Sequence, residues 1–127
     1  MSGKWKYHQS TGELNRGDSF FAIGYSGNPE HKNDTASEGL RSKGPVPRGV
    51  YRMFYVYKKH PKLGSYAIAL KPVGHKALGR SDFMVHADSV KNPGTASHGC
   101  IIMPLEVRKS MAACVGSGDD SELIEVI

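Results

Sequence analysis

The chain has 127 residues, a formal net charge of +5, 39% hydrophobic residues and only two cysteines. This length suits one domain with a real core, and no stretch approaches the roughly 20 apolar residues that a membrane-spanning helix needs. The lysines and arginines are scattered, which indicates solvated surface charge rather than a nucleic-acid interface. Stable membrane insertion is not expected, and an anionic cell-wall polymer is a better expected partner than DNA.

Alternation and turn residues predict a mostly β domain that spans residues 1–127. The predicted strands, in chain order, are 5–9, 20–24, 50–58, 66–70, 83–86, 100–103 and 123–127. The strand 50–58 is apolar on both faces and therefore central, and the spacing of Tyr51, Tyr55 and Tyr57 favours a core position for all three. One helix is predicted at 105–115, after Pro104, which suits a first helical turn.

Residues 25–47 are rich in glycine, proline, asparagine and serine and predict a long irregular segment. Such segments in compact domains are often functional. A rigid turn at 44–49 ends the segment and leads into the central strand.

Cys100 follows a glycine and precedes an apolar, strand-like run, which is a typical placement for a nucleophile. His86 ends a separate apolar run upstream. A neutral thiol is a poor nucleophile, and a nearby imidazole supplies the missing base. If the two side chains meet, the pattern predicts a cysteine acyl-transfer enzyme. Taken alone, Cys100 is more typical of a small buried apolar residue than of a nucleophile, and only the surrounding motif and His86 favour the functional role. The second cysteine, Cys114, is expected to pack on the helix. A disulfide framework is not indicated, and Cys100 is expected to be reduced.

The residues around the thiol suggest further roles. Gly99 lets the backbone approach a substrate closely, and the N–H groups of Gly99 and Cys100 are candidates for an oxyanion hole. His86 is the preferred base because it comes from a separate strand. His98, only two residues from Cys100, is expected to shape the pocket or to orient the acceptor.

Two alternatives remain open at this site. Asp88 and Ser89 either fix the tautomer of His86 or cap the following turn. His86, His98 and Cys100 also make up the three protein ligands of a catalytic zinc site, although no paired-ligand spacing such as Cys-x-x-Cys supports that interpretation.

These residues resemble the L,D-transpeptidase catalytic domain of the YkuD type. The resemblance rests on His86-Ala87, on Ser97-His98-Gly99-Cys100-Ile101 and on the strand entry at 44–51. Ile102 and Ala87 depart from that pattern and favour a divergent branch. Further runs resemble the type VI secretion L,D-transpeptidase-like effectors, toxins that attack peptidoglycan in rival bacteria; these runs are 5–7, 9–12, 24–27, 79–81 and 100–103.

The resemblance implies an L,D-transpeptidase-like fold, a β-sandwich or mixed sheets with one C-terminal helix followed by a last strand. It implies that Cys100 attacks peptidoglycan tetrapeptide stems at the bond between the diamino acid and D-alanine, as an L,D-carboxypeptidase, by exchange of the terminal D-amino acid, or both. Ser97 belongs to the catalytic motif, and no cofactor is expected. Arg80, Tyr25 and Ser26 are expected to hold stem carboxylates, with a structural ion pair as the equal alternative for Arg80.

The resemblance also implies partners and a location. The first eight residues lack the apolar core of a Sec signal peptide, whereas the implied substrate lies outside the cytoplasm. Injection into the periplasm of target bacteria by a contractile secretion machine resolves this conflict, and a trimmed chain resolves it equally well. A monomer, a cognate immunity protein and a secretion-machine component are expected. The alternative functions are an ordinary cross-linking L,D-transpeptidase, a non-catalytic peptidoglycan-binding module and a cysteine amidase or peptidase, in which Cys usually precedes His.

Overall fold

The computed structural model describes residues 4–127. Residues 1–3 lie outside the described residues; they belong to the domain expected over 1–127 and to the first eight residues discussed above as lacking a signal-peptide core. Within the described range the chain forms one α-helix, α1 (Leu105–Ala112), and nine strands: β1 (Trp5–Tyr7), β2 (Glu13–Arg16), β3 (Ser19–Ile23), β4 (Tyr25–Ser26), β5 (Gly49–His60), β6 (Gly64–Pro72), β7 (Met84–His86), β8 (Ile101–Ile102) and β9 (Leu123–Val126). Among residues 4–127, no helix has the length and apolar character to cross a bilayer.

Hydrogen bonds link the nine strands into one mixed sheet in the order β3-β2-β1-β9-β5-β6-β7-β8-β4. The pairs β1–β9 and β7–β8 are parallel, and the other neighbours are antiparallel. The expected mostly β, mixed-sheet fold with one helix and a last strand is confirmed. The predicted first strand ends earlier than expected, at Tyr7, and the helix ends at Ala112.

The core lies where alternate residues of the central strands meet α1. Trp5 and Tyr7 of β1 and Ile124 and Val126 of β9 are buried on one face of adjacent parallel strands. Because strand side chains alternate between faces, residues spaced by two share a face. Met111 contributes the buried face of α1, which packs against β6. Burying a side chain of this size contributes about 1.5–3 kcal/mol to folding.

The outer half of the β5–β6 hairpin departs from the sequence prediction. Tyr51 is buried as expected, but Tyr55 and Tyr57 are 53% and 40% exposed, so the prediction that all three are core residues is wrong for two of them. The pairing of β5 with β9 ends at Arg52, and a register shift follows Met53. Beyond these points β5 pairs with β6 alone among the described strands, so Tyr55 and Tyr57 reach solvent. The facing part of β6 stays buried because β6 also pairs with β7 and packs against α1.

Two short strands were missed in the sequence. β2 contains a single apolar residue, Leu14, and therefore shows no alternation; it forms because the turn after β1 brings it into antiparallel pairing with β1. β4 has two residues and lies inside the segment expected to be irregular, where it pairs with β8. Pairing across the sheet, not local pattern, creates both strands.

Candidate active site

The two motifs that carry the predicted chemistry lie on the parallel strands β7 and β8. Val85 is paired with Ile101 and His86 with Ile102. The same alternation places Cys100, one residue before β8, beside Met84 and on the face of the sheet that carries His86. His86 lies two residues beyond Met84, which is about 7 Å farther along the strand direction.

Cys100 opens into a cleft of about 300 Å³ at the N-terminal ends of β7 and β8. We call this the thiol cleft; its lining residues are Arg41, Ser42, Gly79, Arg80, Ser81, Asp82, Phe83, His98, Gly99 and Cys100. The thiol donates to the carbonyl oxygen of Asp82 at 3.8 Å. Ser42 and Asp82 both have left-handed backbones, with φ of 60° and 65°. Non-glycine residues rarely adopt this conformation, and such strain is concentrated at functional sites.

The Cys100 thiol is protonated at neutral pH in this environment. Removal of the sulfur from water raises the pKa of Cys100 to about 11, although a hydrogen bond from the Met84 N–H and the positive charge of Arg80 both act to lower it. Since the thiolate is the nucleophile, attack at neutral pH requires a base that takes the proton.

Arg80 is only 7% exposed and fastens the irregular segment to the turn before Cys100. Its guanidinium donates to four backbone carbonyls, those of Glu38 at 2.6 Å, Pro45 at 2.8 Å, Gly44 at 3.1 Å and His98 at 3.5 Å. No carboxylate of the described chain pairs with it, so the ion-pair alternative is wrong. Burial lowers the pKa of Arg80, yet an arginine remains charged, which makes Arg80 a fixed positive charge beside the thiol.

The absence of a side chain at Gly99 allows the Arg80 guanidinium to lie against the turn before Cys100. The φ of Gly99 is +130°, and a Cβ atom built on it would collide with Nη2 of Arg80. A side chain at this position would therefore both strain the backbone and push the guanidinium away from the turn.

Ser97 organises the turn from inside rather than from the cleft. Its buried hydroxyl accepts from the N–H groups of Gly27 at 2.9 Å and Gly99 at 3.1 Å, and it donates to the Cys100 carbonyl at 2.6 Å. The Gly99 N–H, expected in the oxyanion hole, is thus engaged within the turn. This corrects the expected role of Gly99 and leaves the Cys100 N–H as the remaining candidate of the two.

His86 is buried, with 3% of its surface exposed. Its Nδ1 lies 2.8 Å from the carbonyl oxygen of Ala87. A carbonyl can only accept, so Nδ1 carries the proton and Nε2 remains the acceptor. Burial lowers the pKa of His86, with the charge of Arg108 acting in the same direction, so the imidazole is neutral at pH 7. His86 does not line the thiol cleft.

His98 does line the thiol cleft and is exposed. Its Nδ1 lies 3.3 Å from the carbonyl oxygen of Ser42, which ties the turn to the irregular segment. The structure therefore brings Cys100, Gly99, His98 and Arg80 together around one cleft, whereas His86 lies on the adjacent strand, outside the lining of that cleft. Within residues 4–127, no group of three His, Cys, Asp or Glu side chains is placed to hold a metal ion, which removes support from the zinc alternative.

Of the two roles left open for Asp88, the structure shows capping. Its carboxylate accepts from the Tyr25 hydroxyl at 2.6 Å and from the N–H groups of Ser89 at 2.8 Å and Gly94 at 3.1 Å. The partner of the His86 ring is instead the Ala87 carbonyl. Asp88 consequently shapes the loop between the two motifs and does not orient the base.

Tyr25 and Ser26, expected to bind stem carboxylates, lie outside the thiol cleft. Ser26 is buried; its hydroxyl accepts from the Val46 N–H at 2.8 Å and donates to the Gly99 carbonyl at 3.4 Å. The Tyr25 hydroxyl also accepts from the Ala96 N–H at 3.0 Å. Both residues hold the loops in place, which corrects their expected role.

Sequence reasoning missed three polar residues near the motifs. Arg41 and Asp82 line the thiol cleft but lie in irregular segments, where no periodicity marks a side chain's direction. Arg108 is buried on α1, three residues before Met111. That i, i+3 spacing placed Arg108 on the apolar side of the helix and was the one available signal.

Comparison with known families decides where the chain belongs. The Tlde1 domain family matches residues 21–122, which is most of the chain. The chain belongs to the Tlde1 domain family. This match confirms the resemblance to the L,D-transpeptidase-like effectors of type VI secretion. Among curated protein sequences there is no significant match.

Solved structures show that this Tlde1 domain has the L,D-transpeptidase fold. The Ldtfm–avibactam carbamoyl enzyme has a TM-score of 0.60 at 14% identity, and the match covers 100% of this chain and 49% of that one. A cysteine-to-serine mutant of the Enterococcus faecium L,D-transpeptidase has 0.60 at 15%, covering 100% and 50%. The chain thus spans about half the length of both. The isolated catalytic domain of the E. faecium enzyme has 0.57 at 14%, covering 98% and 96%.

Proposed function

We propose that this Tlde1 domain is a cysteine acyl-transfer enzyme that acts on peptidoglycan tetrapeptide stems. It releases terminal D-alanine from the diamino acid and exchanges it for another D-amino acid. The observation that carries the proposal is the Cys100 thiol at the wall of an open cleft, with the fixed charge of Arg80 beside it. The fold family supplies the substrate class by analogy.

The proposed reaction begins with general-base catalysis. The Cys100 side chain turns from the Asp82 carbonyl toward His86, and Nε2 of His86 takes the thiol proton as the sulfur bonds to the diamino acid carbonyl carbon. The Cys100 N–H faces the developing oxyanion. The C–N bond to D-alanine then breaks, and the imidazolium gives its proton to the departing amine. A thioester remains on Cys100.

The second half of the reaction frees the enzyme. Water or the amine of a D-amino acid attacks the thioester carbon and loses a proton to His86. The new C–O or C–N bond forms, the C–S bond breaks, and His86 returns the proton to the sulfur. Water gives the trimmed stem, and a D-amino acid gives exchange. Both products remove donor stems from wall synthesis, which is the use we propose for a toxin.

Arg41 is the better candidate for recognition of a stem carboxylate. The donors of Arg80 are largely taken by carbonyls, so Arg80 acts as a charge and a fastening group. Arg41 lines the same cleft, is exposed, and donates to the Gly79 carbonyl at 3.0 Å. Its remaining N–H groups suit a carboxylate.

The proposed setting follows the family. The domain acts as a monomer in the periplasm of target bacteria, after delivery by a secretion machine, and a cognate immunity protein protects the producer. Peptidoglycan stem peptides are the proposed ligand, and no cofactor takes part in the reaction.

The test is incubation of the purified protein with tetrapeptide-containing muropeptides, with and without free D-methionine, followed by mass spectrometry. We expect loss of D-alanine without the amino acid and a D-methionine stem with it. Release of intact stems from sugar would identify an amidase, and cross-linked dimers would identify an ordinary L,D-transpeptidase. Unchanged muropeptides, together with sacculus binding that survives Cys100→Ser and His86→Ala, would identify a binding module.

A further inference from the structure

A second cavity, of about 350 Å³, lies at the C-terminal ends of β7 and β8, opposite the thiol cleft. We call it the Arg108 cavity; its lining residues are Ile23, Gly24, Tyr25, Ala87, Asp88, Ile102, Met103, Pro104 and Arg108. The two cavities share no lining residue. Ala87, the carbonyl partner of the His86 ring, belongs to this wall.

Arg108 places a buried, uncompensated positive charge in this wall. It is 5% exposed, and no carboxylate of residues 4–127 pairs with it. Its Nε donates to the Met103 carbonyl at 3.0 Å, and its Nη1 donates to the Ser65 carbonyl. Nη2 has no acceptor within the described chain and is not one of its fully buried unpaired atoms, so Nη2 keeps a spare donor and some access to solvent in a residue that lines this cavity. A buried cation of this kind favours an anionic ligand.

Asp88 supplies the opposite charge on the same cavity. Its Oδ1 accepts from Tyr25, Ser89 and Gly94, whereas its Oδ2 accepts only the Gly94 N–H at 3.1 Å. A carboxylate oxygen offers two lone pairs, so Oδ2 retains one acceptor site. Lys32, whose ammonium lies 4.5 Å from the centre of the Tyr25 ring, places a positive charge near Asp88.

The remaining wall is apolar and the volume fits a small ligand. Ile23, Ile102, Met103 and Pro104 provide hydrocarbon surface between the two charges. Ligand sites generally combine such a wall with a few convergent polar groups. A molecule with a carboxylate, an ammonium group and an apolar side chain matches all three elements.

We propose that the Arg108 cavity binds a free α-amino acid as its zwitterion. The ligand carboxylate contacts Nη2 of Arg108, the ammonium group contacts Oδ2 of Asp88, and the side chain lies against the apolar wall. The use of this site for the incoming amino acid in exchange rests on the proposed function; the binding itself does not.

The test is a titration of the wild-type protein with free D-methionine, in the absence of muropeptide, followed by amide chemical shifts. We expect saturable shifts centred on Gly24, Ala87 and Ile102, and at least tenfold weaker binding of acetate and of methylamine, which each carry one of the two charges. Arg108→Gln and Asp88→Asn should each weaken D-methionine binding tenfold or more. Arg52→Gln, the same chemical change at an exposed arginine remote from both cavities, should leave the affinity unchanged.

Several results would overturn the assignment. Shifts confined to the thiol cleft would place the amino acid elsewhere. Acetate binding as tightly as D-methionine would mean that Asp88 contributes nothing, and equal binding by a folded Arg108→Gln protein would exclude Arg108. If Arg108→Gln does not fold, Asp88→Asn and the two single-charge ligands decide the matter alone. Binding without exchange would count against the proposed function only, and exchange without binding would count against this cavity only.

Discussion

Each end of the β7–β8 pair has a buried arginine, Arg80 at one end and Arg108 at the other, and the two differ in how many of their N–H donors are used. At each end a buried arginine has no carboxylate partner among the described residues and donates to backbone carbonyls. Both terminal nitrogens of Arg80, beside the thiol, donate to backbone carbonyls, four in all. In Arg108, Nε and Nη1 donate to carbonyls, and Nη2 has no acceptor among the described residues. A guanidinium with its donors used is a fixed charge, and one with a spare donor is a binding group. The comparison teaches that hydrogen-bond use, not burial, separates the two roles that we propose for these arginines.

The largest effect is expected at the thiol end. Cys100→Ala removes the nucleophile and should lower D-alanine release by roughly a thousandfold or more, measured on tetrapeptide muropeptides. Cys114→Ala is the matched control, because Cys114 is a free but buried thiol away from the cleft. Wild-type rates in Cys100→Ala would remove the thiol from the mechanism.

The next largest effect is expected from the two histidines, and comparing their variants shows which of them is the base. His86→Gln should reduce turnover by about 10²–10⁴-fold, which is the range for loss of a general base. His98→Gln should reduce it by less than about tenfold, because His98 only holds the Ser42 carbonyl at the cleft wall. The reverse order, measured in the same assay, would make His98 the base.

Substitution of Arg80 tests whether its positive charge lowers the pKa of the Cys100 thiol. Arg80→Gln removes a positive charge that lowers the Cys100 pKa, so alkylation of the thiol by iodoacetamide at fixed pH should slow severalfold. It also leaves buried carbonyls unpaired and should cost about 2–4 kcal/mol of unfolding free energy. Arg80→Lys should retain part of the alkylation rate. Arg52→Gln, which loses its ion pair with Glu122, should leave the alkylation rate unchanged and cost only about 1 kcal/mol or less of unfolding free energy. Unchanged alkylation in folded Arg80→Gln protein would show that this charge does not reach the sulfur.

The buried imidazole predicts a pH dependence of stability. Burial lowers the pKa of His86 in the folded state below its ordinary value of 6.5, so below that pH the unfolded chain binds the extra proton first. The contribution of His86 is fully present above 6.5 and is lost as pH falls through the lowered value. Urea midpoints measured from pH 8 to pH 5 should fall more steeply in wild type than in His86→Gln. Parallel curves would contradict the lowered pKa.

A modest effect, on substrate binding rather than on turnover, is expected from Arg41. Arg41→Gln should raise KM for tetrapeptide stems by roughly five- to tenfold with little change in kcat, because it removes a carboxylate contact made before and during the reaction. The same variant should bind D-methionine normally at the Arg108 cavity. An unaltered KM would exclude Arg41 from stem recognition.

The local sequence predicts much of the fold around Cys100 and His86. β7 and β8 follow from two short apolar runs, one that ends at His86 and one that begins at Cys100, and the central strand follows from its apolar content. The turn at Gly99 is also readable, since a glycine before a nucleophile indicates a close backbone approach. The predicted strand at 83–86 is confirmed as β7, and the predicted strand at 100–103 is confirmed as the shorter β8.

The rest depends on contacts between distant segments. Ser26 reads as a loop residue, yet its hydroxyl joins Val46 to Gly99, and no local pattern encodes that triangle. The roles of Arg80 and Arg108 depend on which carbonyls the fold delivers to them. Tyr57 has strand spacing typical of a core residue, but its exposure depends on where β9 stops pairing. These features depend on tertiary contacts, which the local pattern of a single sequence does not predict.

The most direct test of the central claim is intact-protein mass spectrometry of the enzyme quenched during turnover of a tetrapeptide muropeptide. We predict an adduct with the mass of the stem acyl group without its D-alanine, located on Cys100 by peptide mapping and removed by hydroxylamine. D-alanine released at the wild-type rate by Cys100→Ala, or rapid turnover with no adduct and with Cys100 alkylated, would contradict covalent catalysis by this thiol.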